Sequence, residues 1–91
     1  MKTMESEVWI VLSVCHIDGE DDVVYRVFRE YKDARKDFDQ SVHDELNSDW
    51  IKENQNLCIS PIQTYIDGRC YWSAYGSGDS AEHILERAVI R

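Results

Sequence analysis

Residues 7–17, EVWIVLSVCHI, place Val8, Ile10, Leu12 and Val14 on one side of an extended chain and Trp9, Val11, Cys15 and Ile17 on the other. Side chains alternate across a strand, so both faces of this segment are mostly apolar. Its β-branched run predicts a central strand. DGEDD at 18–22 follows as a turn, because Asp and Gly accept the left-handed backbone angles a hairpin needs. VVYRVF at 23–28 then returns as a second strand. Val23, Tyr25 and Val27 share one face, and Val24 and Phe28 share the other with Arg26 between them.

The period changes after this hairpin. Ala34, Phe38, Val42, Leu46 and Trp50 recur every fourth residue, with Ile51 beside the end of the row. That spacing predicts a helix from Tyr31 to Lys52, with one apolar stripe and a length of roughly 30 Å. ENQN at 53–56 ends it. LCISPIQTYI at 57–66 is strand-like but contains Pro61, which cannot donate to a ladder and so predicts an edge, an interruption or a bulge. Asp67-Gly68 is a hairpin signal. RCYWSAY at 69–75 is a further strand, and GSGDS at 76–80 reads as a flexible loop. Two patterns fit the last segment, AEHILERAVIR. Asp79 and Glu82 are spaced as a capping box ahead of a helix face of Ile84, Leu85, Ala88 and Val89. Strand alternation puts Ile84, Ala88 and Ile90 on one side and Leu85 and Val89 on the other, and is the reading preferred here.

The expected fold is therefore α+β, in a single domain over residues 1–91. A mostly antiparallel sheet of order ββαβββ carries one long helix packed on one face. No second helix is predicted to cover the other face, and a large exposed apolar patch on a small protein marks an interface. Trp9 and Trp72 are the aromatic residues expected to serve that interface, since large rigid side chains dominate protein–protein contacts.

Composition narrows the function classes. Eighteen acidic against ten basic residues give a formal charge of −8, which repels nucleic acid phosphates and anionic membranes and suits a basic partner. Cys15, Cys58 and Cys70 are odd in number and none lies two residues from another, which fits neither a disulfide framework nor the paired spacing of a zinc site. A reducing cytoplasm is the expected compartment. There is no 18-residue apolar run and no leader-like start, so neither a membrane span nor a signal peptide is expected.

Candidate chemistry is sparse. Cys15 and His16 are adjacent in a strand and point to opposite faces, so they do not chelate one ion. Three cysteines and three histidines allow a nucleophile–base pair, but no spacing specifies one. DGEDD lacks the spacing and closing glutamate of a calcium loop, and GSG lacks the lysine of a phosphate loop. No catalytic residue, metal or cofactor is expected.

The stretch 37–50, DFDQSVHDELNSDW, holds five acids and no lysine or arginine. On a helix, Asp33, Lys36, Asp37, Gln40, Asp44 and Asn47 share a face, flanked by Asp39, Glu45 and Asp49. The acids repeat about 5–6 Å apart per turn, loosely like a row of phosphates. Such a row serves solubility or meets a basic partner through Asp33, Asp37 and Asp44. VWIVLSVCHIDGEDDVVYRVF, YKDARKDFDQSVHDEL and YWSAYGSGDSAEHILERAVI together resemble small proteins of bacteriophages and bacterial mobile elements. That resemblance spans most of the chain and brings no active site. It implies action by binding, including inhibition of host defence systems. The expectation is a small acidic non-enzymatic protein that binds a basic site on a host defence or nucleic-acid-processing protein. The alternative is a homo-oligomer, such as a homodimer with two sheets face to face around a small ligand.

Overall fold

A computed structural model describes residues 6–54 and 56–90. Strands β1 (Ser6–Ile17) and β2 (Glu20–Phe28) form the first hairpin. Helix α1 (Tyr31–Leu46) and a single turn, α2 (Asp49–Lys52), follow. Two short strands, β3 (Cys58–Ile59) and β4 (Gln63–Thr64), lead into the long second hairpin of β5 (Cys70–Gly76) and β6 (Asp79–Ile90). All pairings are antiparallel, in the order β2-β1-β6-β5-β3, with β4 also on β5. The first and last long strands are thus neighbours, in register from Ser6↔Ile90 to His16↔Ser80.

This architecture corrects the α+β expectation. Among the described residues strand makes up 51% and helix 24%, with six strands and only one helix of seven residues or more. The helix expected to run unbroken from Tyr31 to Lys52 stops at Leu46. Asn and Ser bond readily to nearby backbone and compete with helical hydrogen bonds. Here the Asn47 amide donates to the His43 carbonyl at 2.9 Å, and the Ser48 hydroxyl donates to the Glu45 carbonyl. Ser48 itself is extended, at φ −73 and ψ 154. The break turns the chain so that Ile51 is buried while Leu46, the next member of the expected stripe, is left exposed.

Turn chemistry sets the hairpins. Asp18-Gly19 and Ser77-Gly78 both adopt left-handed angles and form two-residue loops, closed by Ile17↔Glu20 and Gly76↔Asp79. GSGDS is accordingly a tight turn and not a flexible loop. Around Asp67-Gly68 the loop is longer, closed by Gly68 N–H to Tyr65 carbonyl at 2.9 Å and Tyr65 N–H to Arg69 carbonyl at 2.8 Å. Gly68 has φ +97, and a Cβ there would lie 2.9 Å from Tyr31 Cε1. Pro61 falls in the gap between β3 and β4. Ile59 pairs with Ala74 but Gln63 with Tyr71, so four steps on one side match three on the other. The extra residue is a bulge. The last segment is strand, with Ile84 and Ala88 on one face and Leu85 on the other.

Ala34, Phe38 and Val42 of α1 are buried against Trp9 and Val11 of β1, Cys70, Trp72 and Ala74 of β5, and Ala81 and Leu85 of β6. Because Phe38 is 0% exposed at the centre of this core, Phe38→Ala is expected to lose about 3–5 kcal/mol of stability. Chemical denaturation of parent and variant checks this. A variant as stable as the parent would mean that α1 does not sit as described.

Candidate functional site

A polar cluster lies beneath the C-terminal half of α1. Ser13 of β1 is in register with His83 of β6, and His83 with Trp72 of β5. Glu45 projects down from the helix, and its Oε1 accepts from His83 Nε2 at 3.1 Å. Its Oε2 accepts from Trp50 Nε1 at 2.7 Å, across the turn that follows the helix break. The Cys15 thiol donates to Oε1 at 3.4 Å. On the far side of the imidazole, Nδ1 lies 2.7 Å from Ser13 Oγ, which also accepts from Arg26 Nη2 at 3.4 Å. With Arg26 as donor, the Ser13 proton is free for Nδ1, and the ring proton sits on Nε2 facing Glu45. The ring stacks on Trp72, centroids 5.6 Å apart. Arg26 continues the network to Asp37 Oδ2 at 2.6 Å and Ser41 Oγ at 2.9 Å.

Serine, histidine and glutamate are the members of a hydrolytic triad, but here each holds the next in place. His83 is 4% exposed under the helix, and the Ser13 hydroxyl is engaged between a guanidinium and the ring. The hydrogen bond from His83, helped by those from Trp50 and Cys15, keeps the Glu45 carboxyl below its usual range against the opposing effect of burial. Burial first, then the adjacent Glu45 carboxylate, pushes the Cys15 thiol up to about 12. It therefore stays protonated near neutrality, the opposite of an activated nucleophile. Cys58 stands on the opposite sheet face, in register with Tyr75, so the three cysteines do not share a face. Among the described residues, no three His, Cys, Asp or Glu side chains gather where they could hold a metal.

The second feature is the sheet face away from α1. Val8, Ile10, Leu12 and Val14 of β1 run down it, between Val23, Tyr25 and Val27 of β2 and Ile84 and Ala88 of β6, with Tyr71 and Tyr75 beyond. Among the described residues no helix lies on this face. Val23 is 60%, Tyr25 69%, Val27 53% and Tyr75 59% exposed. The charged groups at its strand positions are Asp21, which pairs with His16, and Glu82 and Glu86; none is lysine or arginine. Glu82 accepts from the Tyr71 hydroxyl at 2.9 Å.

Acidic charge gathers at one end of the molecule. Both two-residue turns lie at that end, and Asp18, Asp49, Glu53 and Asp79 line one hollow there. The Asp18 N–H donates to Asp79 Oδ1 at 3.0 Å. Glu20, Asp21 and Asp22 are exposed beside it.

The residues expected to meet a partner are scattered by the fold. Trp9 and Trp72 are 7% and 2% exposed, on the face that α1 covers, so their expected place on the open face is corrected. The reason is the register of β1 and β5: odd residues of β1 and even residues of β5 turn toward the helix. Asp33 and Asp44 are exposed, Asp44 accepting from Gln40 at 2.8 Å. Asp37 is held by Arg26. Glu45 is not a solvent-facing flank of the acidic row but the centre of the buried cluster. The outer helix surface mixes signs, since Lys32, Arg35, Lys36, Asp39 and His43 border one hollow. Once the last segment is read as a strand, Ala81, His83 and Leu85 alternate onto one face, and that spacing was the available signal for a buried histidine.

Compared with known proteins, the chain matches no protein-family model and no curated sequence. No described helix is long and apolar enough to cross a membrane.

The cluster generates a pH expectation. A carboxyl lowered by folding stabilises the fold above its unfolded value and loses that contribution as pH falls through its folded value. Stability of the parent should therefore fall on acidification from about pH 5, and Glu45→Gln should be less stable at neutrality with a shallower fall over that window. Denaturant titrations at several pH values read both effects. Thiol labelling at mildly alkaline pH should modify exposed Cys58 first and leave Cys15 and buried Cys70 slow. Peptide mapping of the labelled protein decides the order.

Proposed function

We propose that this is a non-enzymatic binding protein whose open sheet face takes a protein partner with an apolar strip bordered by lysine and arginine. The observation that supports it is the uncovered face itself, apolar on β1 and β2 and carrying Glu82 and Glu86 among Ile84 and Ala88 on β6. Four strands about 4.8 Å apart and seven residues of about 3.4 Å give a patch near 450 Å² in projection, a fair part of the roughly 800 Å² per partner of a standard interface. The acids favour a basic partner over nucleic acid, because phosphates would meet Glu82, Glu86 and the acidic end. The bacteriophage-type resemblance supplies the class of partner: a host defence or nucleic-acid-processing protein with a basic site, met in the cytoplasm. Two copies seated face to face around a small ligand is the weaker reading. It would bring Glu82 and Glu86 of both copies into one drying interface, where like charges are costly.

The test pairs two double variants in capture from bacterial lysate. Leu12→Lys with Ile84→Lys places charge in the middle of the open face, and Asp33→Lys with Asp44→Lys reverses exposed helix positions. Exposed substitutions cost about 0.5 kcal/mol or less each, and half-buried Leu12 and Ile84 somewhat more, so both proteins should fold. A protein retained by the parent and the helix variant, and lost by the sheet variant, is the expected result. Loss by the helix variant alone would assign binding to α1 and end this reading.

A further inference from the structure

We propose that the outer edge of β2 takes an extended segment of a protein partner as a further antiparallel strand, apolar at the segment's start and basic at its C-terminal end. The two edges of the sheet differ. β3 and β4 are two residues each and are separated by Pro61 and a bulge. Short strands, proline and bulges guard an edge against added strands. β2 has none of these. It is nine residues long, and its register against β1 is unbroken from Trp9↔Phe28 to Ile17↔Glu20.

Hydrogen-bond phase shows what this edge presents. In a two-residue hairpin the closing pair is bonded, and bonded and non-bonded pairs alternate along the ladder. With Ile17↔Glu20 closing the turn, the even residues of β2 bond to β1. Asp21, Val23, Tyr25 and Val27 then direct their N–H and C=O groups outward. Such a row is the backbone half of strand addition, in which side chains supply the choice of partner.

Charge and shape along β2 name the occupant. Its helix side carries, in order, Glu20, Asp22, Val24, Arg26 and Phe28. Glu20 and Asp22 are exposed and in no ion pair among the described residues. Asp21 on the other side is held by His16. The Arg26 guanidinium is bonded to Asp37 and Ser41 of α1, so it does not offset the two acids at the edge. Next come Val23, Val24, Tyr25 and Val27, all exposed. At the far end Phe28 lines a hollow with Asp33, Lys36, Asp37 and Gln40 of α1. A strand added outside β2 sets a helix-side residue against that hollow. Antiparallel pairing is the more stable kind, and it puts the segment's first residue at Phe28 and its last at Glu20. The fitting segment has an apolar residue for the hollow, β-branched residues opposite Tyr25 and Val24, and lysine or arginine opposite Asp22 and Glu20. This edge is distinct from the open face, so the inference goes beyond the reading above.

The probe is the end-blocked peptide Leu-Thr-Thr-Val-Val-Thr-Lys-Thr-Lys, titrated calorimetrically into the full chain. Saturable binding that weakens with salt is expected, since exposed charges are screened. N-methylation of the fourth and sixth residues blocks amides that face Tyr25 and Val23, and should cost about tenfold or more in affinity. The same change at the third and fifth residues, whose amides face away, should cost about twofold or less. Glu20→Lys with Asp22→Lys should weaken binding about tenfold, and a peptide with glutamate in place of both lysines should recover it on that variant. Leu12→Lys with Ile84→Lys should bind the peptide as the parent does, so edge and open face are read separately. No saturable binding up to millimolar peptide overturns the proposal and leaves the open-face reading standing. Equal losses from the two methylation patterns, or loss with the Leu12 and Ile84 variant, also overturn it. So does a peptide-free protein that sediments at twice 10.7 kDa and is split by the peptide, which would give the edge to a second copy.

Discussion

A helix about 10 Å across cannot cover both faces of a sheet, and α1 is the only helix of more than one turn among the described residues. It lies over a sheet five strands wide, whose two longest strands have twelve residues each. Most other features follow from this shortage of cover. The side chains turned to α1 make the core. Those turned away, with Val8 the exception, remain at least partly exposed although many are valine, isoleucine, leucine and tyrosine. The described residues therefore present a broad open sheet face.

The helix is held to that one face by more than apolar contact. Glu45 draws His83 from β6, Cys15 from β1 and Trp50 from the turn after α1 to a single carboxylate. Ser13 and Arg26 extend the same network to β2 and back to the helix at Asp37. Buried polar groups are costly when unpaired, and among the described residues no buried side-chain nitrogen or oxygen lacks a partner. A shift of the helix along the sheet would leave several of these groups without one. The network thus fixes position where apolar burial alone would tolerate sliding.

Charge and edges distribute the remaining surface. The net acidity is concentrated near the two tight turns and is diluted on the outer helix by Lys32, Arg35 and Lys36. One sheet edge ends in a proline-interrupted pair of short strands, and the other presents a long regular strand. These differences separate three surfaces with distinct chemistry: an apolar face, an acidic end and an open backbone edge.

The local elements were legible because their signals are local. Alternation marked β1, β2, β5 and β6, the four-residue period marked α1, and Asp18-Gly19 and Pro61 marked a turn and an interruption. The uncovered face followed from having a sheet with only one helix. What alternation could not settle was which side of each strand the helix would take. β1 is apolar on both sides, so Trp9 looked as suitable for the surface as Leu12, and the same ambiguity misplaced Trp72. The end of α1 was misjudged because the period continued to Trp50 while the Ser48 hydroxyl captured the Glu45 carbonyl and the Asn47 amide that of His43. Glu45 read as a solvent-facing acid because its partners Cys15 and His83 lie 30 and 38 residues away. Ser13 and His83 meet across 70 residues, through a pairing of the first and last long strands that no short stretch announces. Sequence patterns thus determined the elements and the existence of an open face, because those depend on neighbours a few residues apart. Tertiary structure alone decided which residues occupy that face, because sidedness is set where distant strands and the helix come into contact.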